Sequence, residues 1–383
     1  MTAAPAAVSR MVLGMTGAHG TPGGIAASNG GVIDALQEIS RDRGLPLHVL
    51  SYLEGEDARP PRLDPGASFE GARGSRVRFA ASLVPLLGRR TLALFDHVDL
   101  ALPALPWTRL GGMRTVIFAH GSEASWRRKR SSAWSYRAAA LCLANSEFTR
   151  RALEGSVPGV RASACELGLP PGHALEGEAE AAGPAPELED AEGTRRPLAD
   201  RVLLLVARMD PTERRKGHRE LIGVLPEVAA AFPGVQAAMV GGGADRPALR
   251  DLARELGVGS RVFLPGHVPP AVLAGLYARC FAFVMPSRQE GFGLAYLEAM
   301  ARGRPCIAHR DQGCGEIVRD GRTGLLVDLE GGTAGLRDAI LRLLSRPEEA
   351  RAMGREGLRL LRERYTPEHH RARVRRAVEG VLA

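Results

Sequence analysis

A strand–loop–helix pattern between residues 281 and 306 constrains the fold of this chain more than any other stretch. Residues 281–285 form a short apolar run, which is typical of a buried parallel strand. Residues 294–301 contain neither Gly nor Pro and favour a helix, which should end at Gly303 and Pro305. A parallel strand that leads through a short loop into a helix indicates an α/β fold.

The loop of this pattern carries the first candidate binding residues. The backbone N–H groups of Phe292, Gly293 and Leu294 lie at the expected start of the helix, and such a terminus favours anions, phosphate above all. Glu290 and Glu298 would lie roughly 12 Å apart along a continuous helix. The glycine-containing break allows both carboxylates to face one crevice, as a sugar nucleotide would require. The spacing alone equally allows a surface loop with two solvated glutamates.

The full string is more specific than the spacing of its glutamates. Residues 287–305 follow the pattern S-R-x-E-G-F-G-L-x-x-L-E-A-M-A-x-G-x-P. This pattern resembles the E-x7-E signature of the retaining glycosyltransferases of family 4, the glycosyl transferases group 1. The resemblance is sharp over residues 202–327 and looser before residue 110. It implies the GT-B fold, in which two Rossmann-like domains face each other across a central cleft, and it implies catalysis that needs no metal or cofactor.

Length and composition narrow the class of protein. The 383 residues suffice for two domains with separate cores. The five cysteines form no C-x-x-C pair, so neither a disulfide framework nor a zinc site is expected. The N-terminus lacks the apolar segment of a signal peptide, and no run approaches the roughly 18 apolar residues of a membrane span. We therefore expect a cytoplasmic protein.

The charge of the chain favours anionic partners. The formal net charge is +8, which suits nucleotides, acidic lipid surfaces or nucleic acid. Only Lys129 and Lys216 are lysines, and all other basic residues are arginine. Because an ammonium group is a compact point charge and a guanidinium group is a planar fork, the use of Lys at position 216 is informative.

Further apolar runs alternate with helix-favouring segments, as in two Rossmann-like domains. The predicted strands are 12–15, 47–52, 90–95, 115–118, 138–144, 201–207, 235–240, 261–264, 305–308 and 324–327. Helices are predicted at 25–36, 333–344, 348–365 and 367–382.

These elements suggest the domain organisation. Residues 1–170 are expected to form an N-terminal acceptor-binding domain, and residues 199–366 a C-terminal domain that binds the nucleotide-sugar donor. Residues 171–198 are rich in Ala, Glu, Pro and Gly, which predicts an acidic flexible linker or loop. By resemblance, the helix within 367–383 crosses back onto the first domain.

The first half offers three candidate site residues. Gly23 and Gly24 precede the predicted helix 25–36, and they resemble the glycine turn that the family places beside the donor. An ordinary tight turn explains them equally well. His120 follows the strand 115–118, at the edge where open α/β sheets bind ligands, and it resembles the family position that contacts the donor sugar. The absence of G-x-G-x-x-G weakens a dehydrogenase interpretation.

The second half adds cations and glycine turns. Arg208 follows a strand and Lys216 precedes the next helix, so the two could hold a diphosphate between them and stabilise the charge of the leaving group. This run resembles the Arg…Lys-Gly element of the family, although Arg214 or Arg215 could share the role. By resemblance, the turn at Gly242 approaches the nucleotide or sugar, and the backbone of Val268 meets the base.

Aromatic residues alternate with positive charge over residues 126–137. This pattern is compatible with a solvated helix face, with a contact to an acidic membrane surface, or with nucleic-acid binding. Because the chain carries no recognisable nucleic-acid motif, no nucleic acid is expected as a partner. A peripheral contact with the inner membrane surface remains one of the alternatives.

Together these features predict a retaining glycosyltransferase. It would move a sugar from a UDP- or GDP-sugar to a hydroxyl of a glycan, a lipid-linked or a small-molecule acceptor. His120, Arg208, Lys216 and Glu290 are the expected catalytic residues, and Glu298 is expected to accept hydrogen bonds from the ribose. Two alternatives remain open, namely a sugar-nucleotide epimerase of the same architecture and a non-enzymatic basic binding protein.

Overall fold

The computed structural model describes residues 7–18, 23–121, 130–170 and 185–383. The chain divides into two units. The first comprises Met1–Gly172 together with Tyr365–Ala383, and the second comprises His173–Arg364. Each unit contains one parallel sheet with helices, as predicted for Rossmann-like domains.

The first unit contains a seven-stranded sheet in the order β3-β2-β1-β4-β5-β6-β7. Its strands are β1 (Arg10–Met15), β2 (Leu47–Ser51), β3 (Ser68–Gly71), β4 (Thr91–Phe95), β5 (Arg114–Ala119), β6 (Leu141–Ala144) and β7 (Ala162–Ala164). Adjacent strands are parallel throughout. Because β2 and β4 lie on opposite sides of β1, the strand order reverses there, and the carboxyl ends of β1 and β4 border a switch point.

The helices of this unit cover both faces of its sheet. They are α1 (Gly24–Arg43), α2 (Arg76–Leu83), α3 (Leu105–Leu110), α4 (Arg130–Ala138), α5 (Glu147–Ser156) and α12 (Pro367–Leu382). Ser146 caps α5 by accepting a hydrogen bond from the Thr149 amide. The C-terminal helix α12 packs on α1: Val374 and Val378 are buried in the core, and Arg375 forms an ion pair with Asp42 at 2.6 Å.

The second unit contains a six-stranded parallel sheet in the order β12-β11-β10-β13-β14-β15. The strands are β10 (Arg201–Val206), β11 (Val235–Val240), β12 (Val262–Gly266), β13 (Ala282–Met285), β14 (Cys306–His309) and β15 (Gly324–Val327). The helices are α6 (His218–Ala231), α7 (Arg246–Glu255), α8 (Pro270–Arg279), α9 (Leu294–Ala301), α10 (Ala334–Ser345) and α11 (Pro347–Arg364). The strand order reverses between β10 and β13, so a ligand crevice is expected at their carboxyl ends.

Part of the segment predicted as a flexible linker or loop, residues 171–198, is instead an ordered hairpin. Residues 171–184 lie outside the described ranges, but β8 (Glu187–Glu189) and β9 (Arg195–Pro197) form an antiparallel hairpin in the second unit. Its turn is fixed by Asp190, which is fully buried and accepts a hydrogen bond from Arg196 at 2.7 Å. Asp190 also bridges to Phe263 of the edge strand β12, so the hairpin covers that edge.

Candidate active site

Two loops meet at the switch point of the second unit. Arg208 follows β10 and Glu290 follows β13, and these strands are neighbours in the sheet. Lys216 lies at the end of the short 3₁₀ segment Pro211–Lys216, just before α6. Its Nζ atom donates to Glu290 Oε2 at 3.0 Å and to the Gln289 carbonyl at 3.2 Å. The structure therefore brings Lys216 and Glu290 into direct contact.

Glu213 completes the charge cluster. Its Oε1 atom accepts from Arg208 Nη2 at 2.7 Å, and its Oε2 atom lies 3.9 Å from Lys216 Nζ. The 3₁₀ segment that carries Glu213 is capped by Asp210, whose carboxylate accepts hydrogen bonds from the amide and hydroxyl of Thr212. Two cations and two carboxylates thus alternate in one cluster.

Electrostatics hold Lys216 in its charged form. Burial alone would lower the pKa of Lys216, but attraction by Glu290 and Glu213 outweighs it, so the pKa is raised above 10.5. A positive charge is therefore kept at a place with little contact to water, where charge–charge interactions are stronger than on an open surface.

The neighbouring arginines have other surroundings than Lys216 has. Arg214 forms an ion pair with the buried carboxylate of Asp245 at 2.9 Å, and Arg219 approaches the same carboxylate at 3.5 Å. Arg215 is exposed, and its carbonyl accepts from the Arg288 amide. The suggestion that Arg214 or Arg215 shares the role of Lys216 is not favoured by these contacts.

A glycine turn packs directly against the Arg208 loop. Gly243 has a φ of 149°, and a Cβ atom there would overlap the carbonyl oxygen of Met209. At Gly242, a Cβ atom would lie 2.6 Å from the ring of His267, which is the residue before Val268. The absence of side chains at Gly242 and Gly243 makes room for these contacts. The predicted glycine turn therefore lies beside the loop that carries Arg208, and the segment that carries Val268 lies beside the turn.

Helix α9 begins next to Glu290, as the sequence predicts. Gly293 is its N-cap residue with a φ of 99°, and a Cβ atom there would lie 2.5 Å from the ring of Tyr296. Because Gly293 has no side chain, no side-chain cap covers the first turn, which starts at Leu294. Phe292, the residue before Gly293, is buried.

Glu298 lies in the second turn of α9 and is half-buried. Burial raises the pKa of Tyr277 well above its usual value, and the nearby Glu298 carboxylate raises it further. The Glu298 carboxylate therefore lies near the buried Tyr277.

The sequence did not predict two hydrogen bonds that fix the backbone of Glu290. The Gly313 amide donates to the Glu290 carbonyl at 2.9 Å, and the Glu290 amide donates to Gln312 Oε1 at 3.2 Å. A Cβ atom at Gly313 would overlap the Gly291 carbonyl. The only sequence signal was the glycine pair of residues 313 and 315 after a strand, which gave no hint of this contact.

In the first unit, His120 lies at the end of β5 as predicted. Its Nε2 atom donates a hydrogen bond to the Asp96 carbonyl at 2.8 Å, and its ring stacks on Phe118. The Asp96 carboxylate is buried, and its Oδ2 atom accepts from Thr16 and from Asn29 at 2.7 Å. Burial raises the pKa of Asp96. Asp96 was missed, although an acidic residue directly after an apolar strand is a usable signal.

The other sequence predictions for this unit have mixed outcomes. Gly23 is the N-cap of α1 with a φ of 131°, and Gly24 is the first residue of that helix. Of the basic and aromatic patch, residues 126–129 lie outside the described ranges. Tyr136 is fully buried, whereas Trp134 is half-exposed with Arg109 over its ring at 6.0 Å. The patch is therefore not a uniform aromatic surface.

Two findings concern the described part of the chain as a whole. None of its helices combines the length and the apolar character needed to cross a membrane. In the same residues, no group of three or more His, Cys, Asp or Glu side chains is arranged so that it could hold a metal ion.

Comparison with known proteins assigns the second unit. Residues 200–346 match the sequence model of a family described as "Glycosyl transferases group 1". This chain contains a glycosyl transferases group 1 domain. The domain includes Arg208, Lys216, Glu290 and Glu298, so the recognition made from the E-x7-E string is confirmed.

Two curated bacterial proteins are similar to this chain. A "GDP-mannose-dependent alpha-(1-6)-phosphatidylinositol monomannoside mannosyltransferase" of Mycolicibacterium smegmatis is 33% identical over 261 residues, which cover 65% of each chain. A "D-inositol 3-phosphate glycosyltransferase" of Segniliparus rotundus is 35% identical over 164 residues, 42% of this chain and 36% of that protein. The chain thus spans less than two thirds of the length of these relatives.

Solved structures support the fold over nearly the whole chain. Sucrose-phosphate synthase from Thermosynechococcus elongatus aligns with a TM-score of 0.74 at 20% identity, covering 97% of this chain and 99% of that one. HepE from Anabaena, crystallised with UDP, aligns with a TM-score of 0.73 at 18% identity, covering 97% and 100%. The predicted GT-B fold class is confirmed.

Proposed function

We propose that this protein is a retaining glycosyltransferase that uses a nucleotide-diphosphate sugar as donor. The observation that carries the proposal is the contact of Lys216 with Glu290, directly before the N-terminus of α9, together with Arg208, which is linked to Lys216 through Glu213. Two cations beside the positive end of a helix form a site for a diphosphate, and they would stabilise the charge that develops on it as the sugar leaves.

Each predicted residue receives a role in this proposal. Arg208 and Lys216 bind the diphosphate, and the helix-start amides of Phe292, Gly293 and Leu294 add to its binding. Glu298 accepts hydrogen bonds from the ribose hydroxyls.

Other residues complete the donor site. Glu290 holds the transferring sugar, and His120 is assigned a contact with the same sugar. Gly242 and Val268 lie along the nucleotide, and Gly23 and Gly24 allow close approach of the backbone to the donor.

Transfer takes place on the front face of the sugar. The leaving phosphate helps to deprotonate the acceptor hydroxyl, and the cations take over the charge neutralisation that a metal performs in other enzymes. We propose a cytoplasmic enzyme whose acceptor is a glycan, a lipid-linked or a small-molecule alcohol. The exposed Trp134 beside Arg109 provides one point of contact with an acidic membrane surface.

The relatives suggest which ligands to test first. One is named as dependent on GDP-mannose, whereas HepE was crystallised with UDP, so both bases belong in a donor screen. Phosphatidylinositol monomannoside and inositol 3-phosphate, taken from the names of the relatives, are the first acceptors to test.

A calorimetric titration with UDP-, GDP- and ADP-sugars tests the donor assignment. We expect one base to bind best, and we expect Glu298→Ala to weaken binding by about tenfold or more, because hydrogen bonds to charged groups contribute about 1.5–3 kcal/mol. Glu227→Ala on the exposed side of α6 is the matched control and should bind like the parent. Unchanged donor affinity in Glu298→Ala would remove that assignment, and conversion of a sugar nucleotide without acceptor would identify an epimerase instead.

A further inference from the structure

We propose that the Glu213 carboxylate competes with the phosphate groups of the donor for Arg208 and Lys216, and that it thereby lowers nucleotide affinity. This inference rests on the proposed function and adds to it a residue that regulates the same site. Glu213 lies in the basic loop between Arg208 and Lys216, and the proposed donor site gives this residue no role.

The geometry places one carboxylate between two cations. Glu213 Oε1 lies 2.7 Å from Arg208 Nη2, and Oε2 lies 3.9 Å from Lys216 Nζ. Each oxygen thus faces a different cation. A phosphate group that is bound by the same two side chains would present its oxygens in the same way, so both anions cannot hold the pair at once.

The contacts of Glu213 are the weaker ones in the cluster. The side chain of Arg208 is 72% exposed, and ion pairs with such exposed groups contribute little. By contrast, Lys216 and Glu290 are both mostly buried and lie 3.0 Å apart. An incoming phosphate would therefore displace Glu213 more readily than Glu290, and the exposed Arg208 side chain can follow the new anion.

The charge balance gives the direction of the effect. Arg208 and Lys216 carry two positive charges, and Glu213 and Glu290 neutralise them. A nucleoside diphosphate approaches a cluster that is close to neutral. Removal of the Glu213 charge leaves one excess positive charge at the site, which strengthens the attraction for any phosphate.

The backbone of Glu213 is fixed independently of its side chain. Its amide donates to the Asp210 carbonyl at 2.8 Å, and the Asp210 carboxylate holds Thr212. Replacement by Gln changes the charge and keeps the size, so the turn is expected to remain in place.

The test is a calorimetric titration of the full chain and of Glu213→Gln with UDP, GDP and inorganic pyrophosphate. We expect Glu213→Gln to lower the Kd of the best-binding nucleotide by about two- to fivefold, which corresponds to an exposed ion pair. The gain should shrink at high salt, because exposed charges are screened. Glu227→Gln removes a similar charge from the same unit at the Arg337 pair and should leave the Kd unchanged.

The outcomes separate this inference from the proposed function. An equal or higher Kd for Glu213→Gln would overturn the inference, and a higher Kd would indicate that the carboxylate positions Arg208 instead. If no nucleotide binds the parent chain but pyrophosphate binds more tightly to Glu213→Gln, the competition is supported and the nucleotide-sugar assignment fails. If none of the three ligands binds either protein, both proposals fail.

Discussion

The contact between Lys216 and Glu290 can be measured as an interaction energy with a double-mutant cycle. The perturbations are Lys216→Met, Glu290→Gln and both together. The two charged atoms lie 3.0 Å apart, and the side chains are only 19% and 15% exposed. Removal of one partner leaves the other charge in a place with little water, so each single variant should be destabilised and the double variant hardly more than either.

The expected magnitude follows from the distance and the burial. For charges 3.0 Å apart, Coulomb's law with an effective dielectric constant of 20 gives an attraction of about 5.5 kcal/mol. Loss of hydration offsets most of this energy. We therefore expect a coupling energy of about 1–3 kcal/mol in the free energy of unfolding, measured by urea denaturation at pH 7.

The pH dependence of the coupling has a definite sign. Because the pKa of Lys216 is raised above 10.5, the folded state binds this proton more tightly than the unfolded state does. The stabilisation is complete below the unfolded value and is lost only as the pH rises through the higher folded pKa. The cycle should therefore give the same coupling at pH 7 and pH 9.

An exposed pair in the same unit is the control for this cycle. Arg337 and Glu227 lie 2.7 Å apart, but their side chains are 31% and 63% exposed. Their coupling should stay below about 1 kcal/mol. If Lys216 and Glu290 couple no more strongly than this control, with both single variants folded, the reasoning from burial and distance is refuted.

Two further predictions concern stability alone. Gly243→Ala should lower the free energy of unfolding by about 2–4 kcal/mol, because the residue has a φ of 149° and its Cβ would overlap the Met209 carbonyl. The control is Gly223→Ala on the exposed face of α6, which should raise the free energy of unfolding by about 0.5–1 kcal/mol in the same urea titration. His370 is buried, its Nδ1 atom donates to the Glu166 carbonyl at 3.0 Å, and burial lowers its pKa to about 4. Its stabilising contribution is therefore present above pH 6.5 and lost towards pH 4, up to about 3 kcal/mol. His370→Gln should lose less stability than the parent between pH 7 and pH 4; an equal loss would contradict this assignment.

Several elements of the second unit were predicted with the bounds that the structure shows. Val235–Val240 is an apolar run between Gly234 and a glycine turn, and Leu294–Ala301 lies between Gly293 and Gly303. Hydrophobic burial and glycine conformation both act locally here, so the local sequence determines the result. Strand β3 was missed because an edge strand with a single large apolar residue, Phe69, carries almost no such signal.

The candidate site was predictable only in part, for a physical reason. Arg208 and Lys216 stand in one short loop, and their proximity follows from the chain itself. The contact of Lys216 with Glu290 joins loops that follow different strands, and it depends on which strands become neighbours in the sheet. The same holds for the hydrogen bond that Gln312 accepts from the Glu290 amide. Spacing along the sequence does not specify strand order, so these contacts required the structure.

The surroundings of residue 216 explain why this arginine-rich chain has a lysine there. Three oxygen atoms surround the ammonium group: the Gln289 carbonyl at 3.2 Å and Glu290 Oε2 at 3.0 Å accept hydrogen bonds, and Glu213 Oε2 forms an ion pair at 3.9 Å. A compact ammonium group can face oxygen atoms on different sides. A guanidinium group is larger and planar, so it cannot reach all three from the same enclosed position.

Lys216→Arg should therefore behave as a loss of function although the charge is kept. We expect nucleotide affinity to fall by about tenfold and the coupling to Glu290 to fall by about half, because the planar fork has to move out of the pocket to find room. The control is Arg337→Lys on the surface, which should change neither quantity. If calorimetry shows that Lys216→Arg binds nucleotide as tightly as the parent chain does, the shape of the cation does not matter at this site. The structural explanation for the lysine would then be wrong.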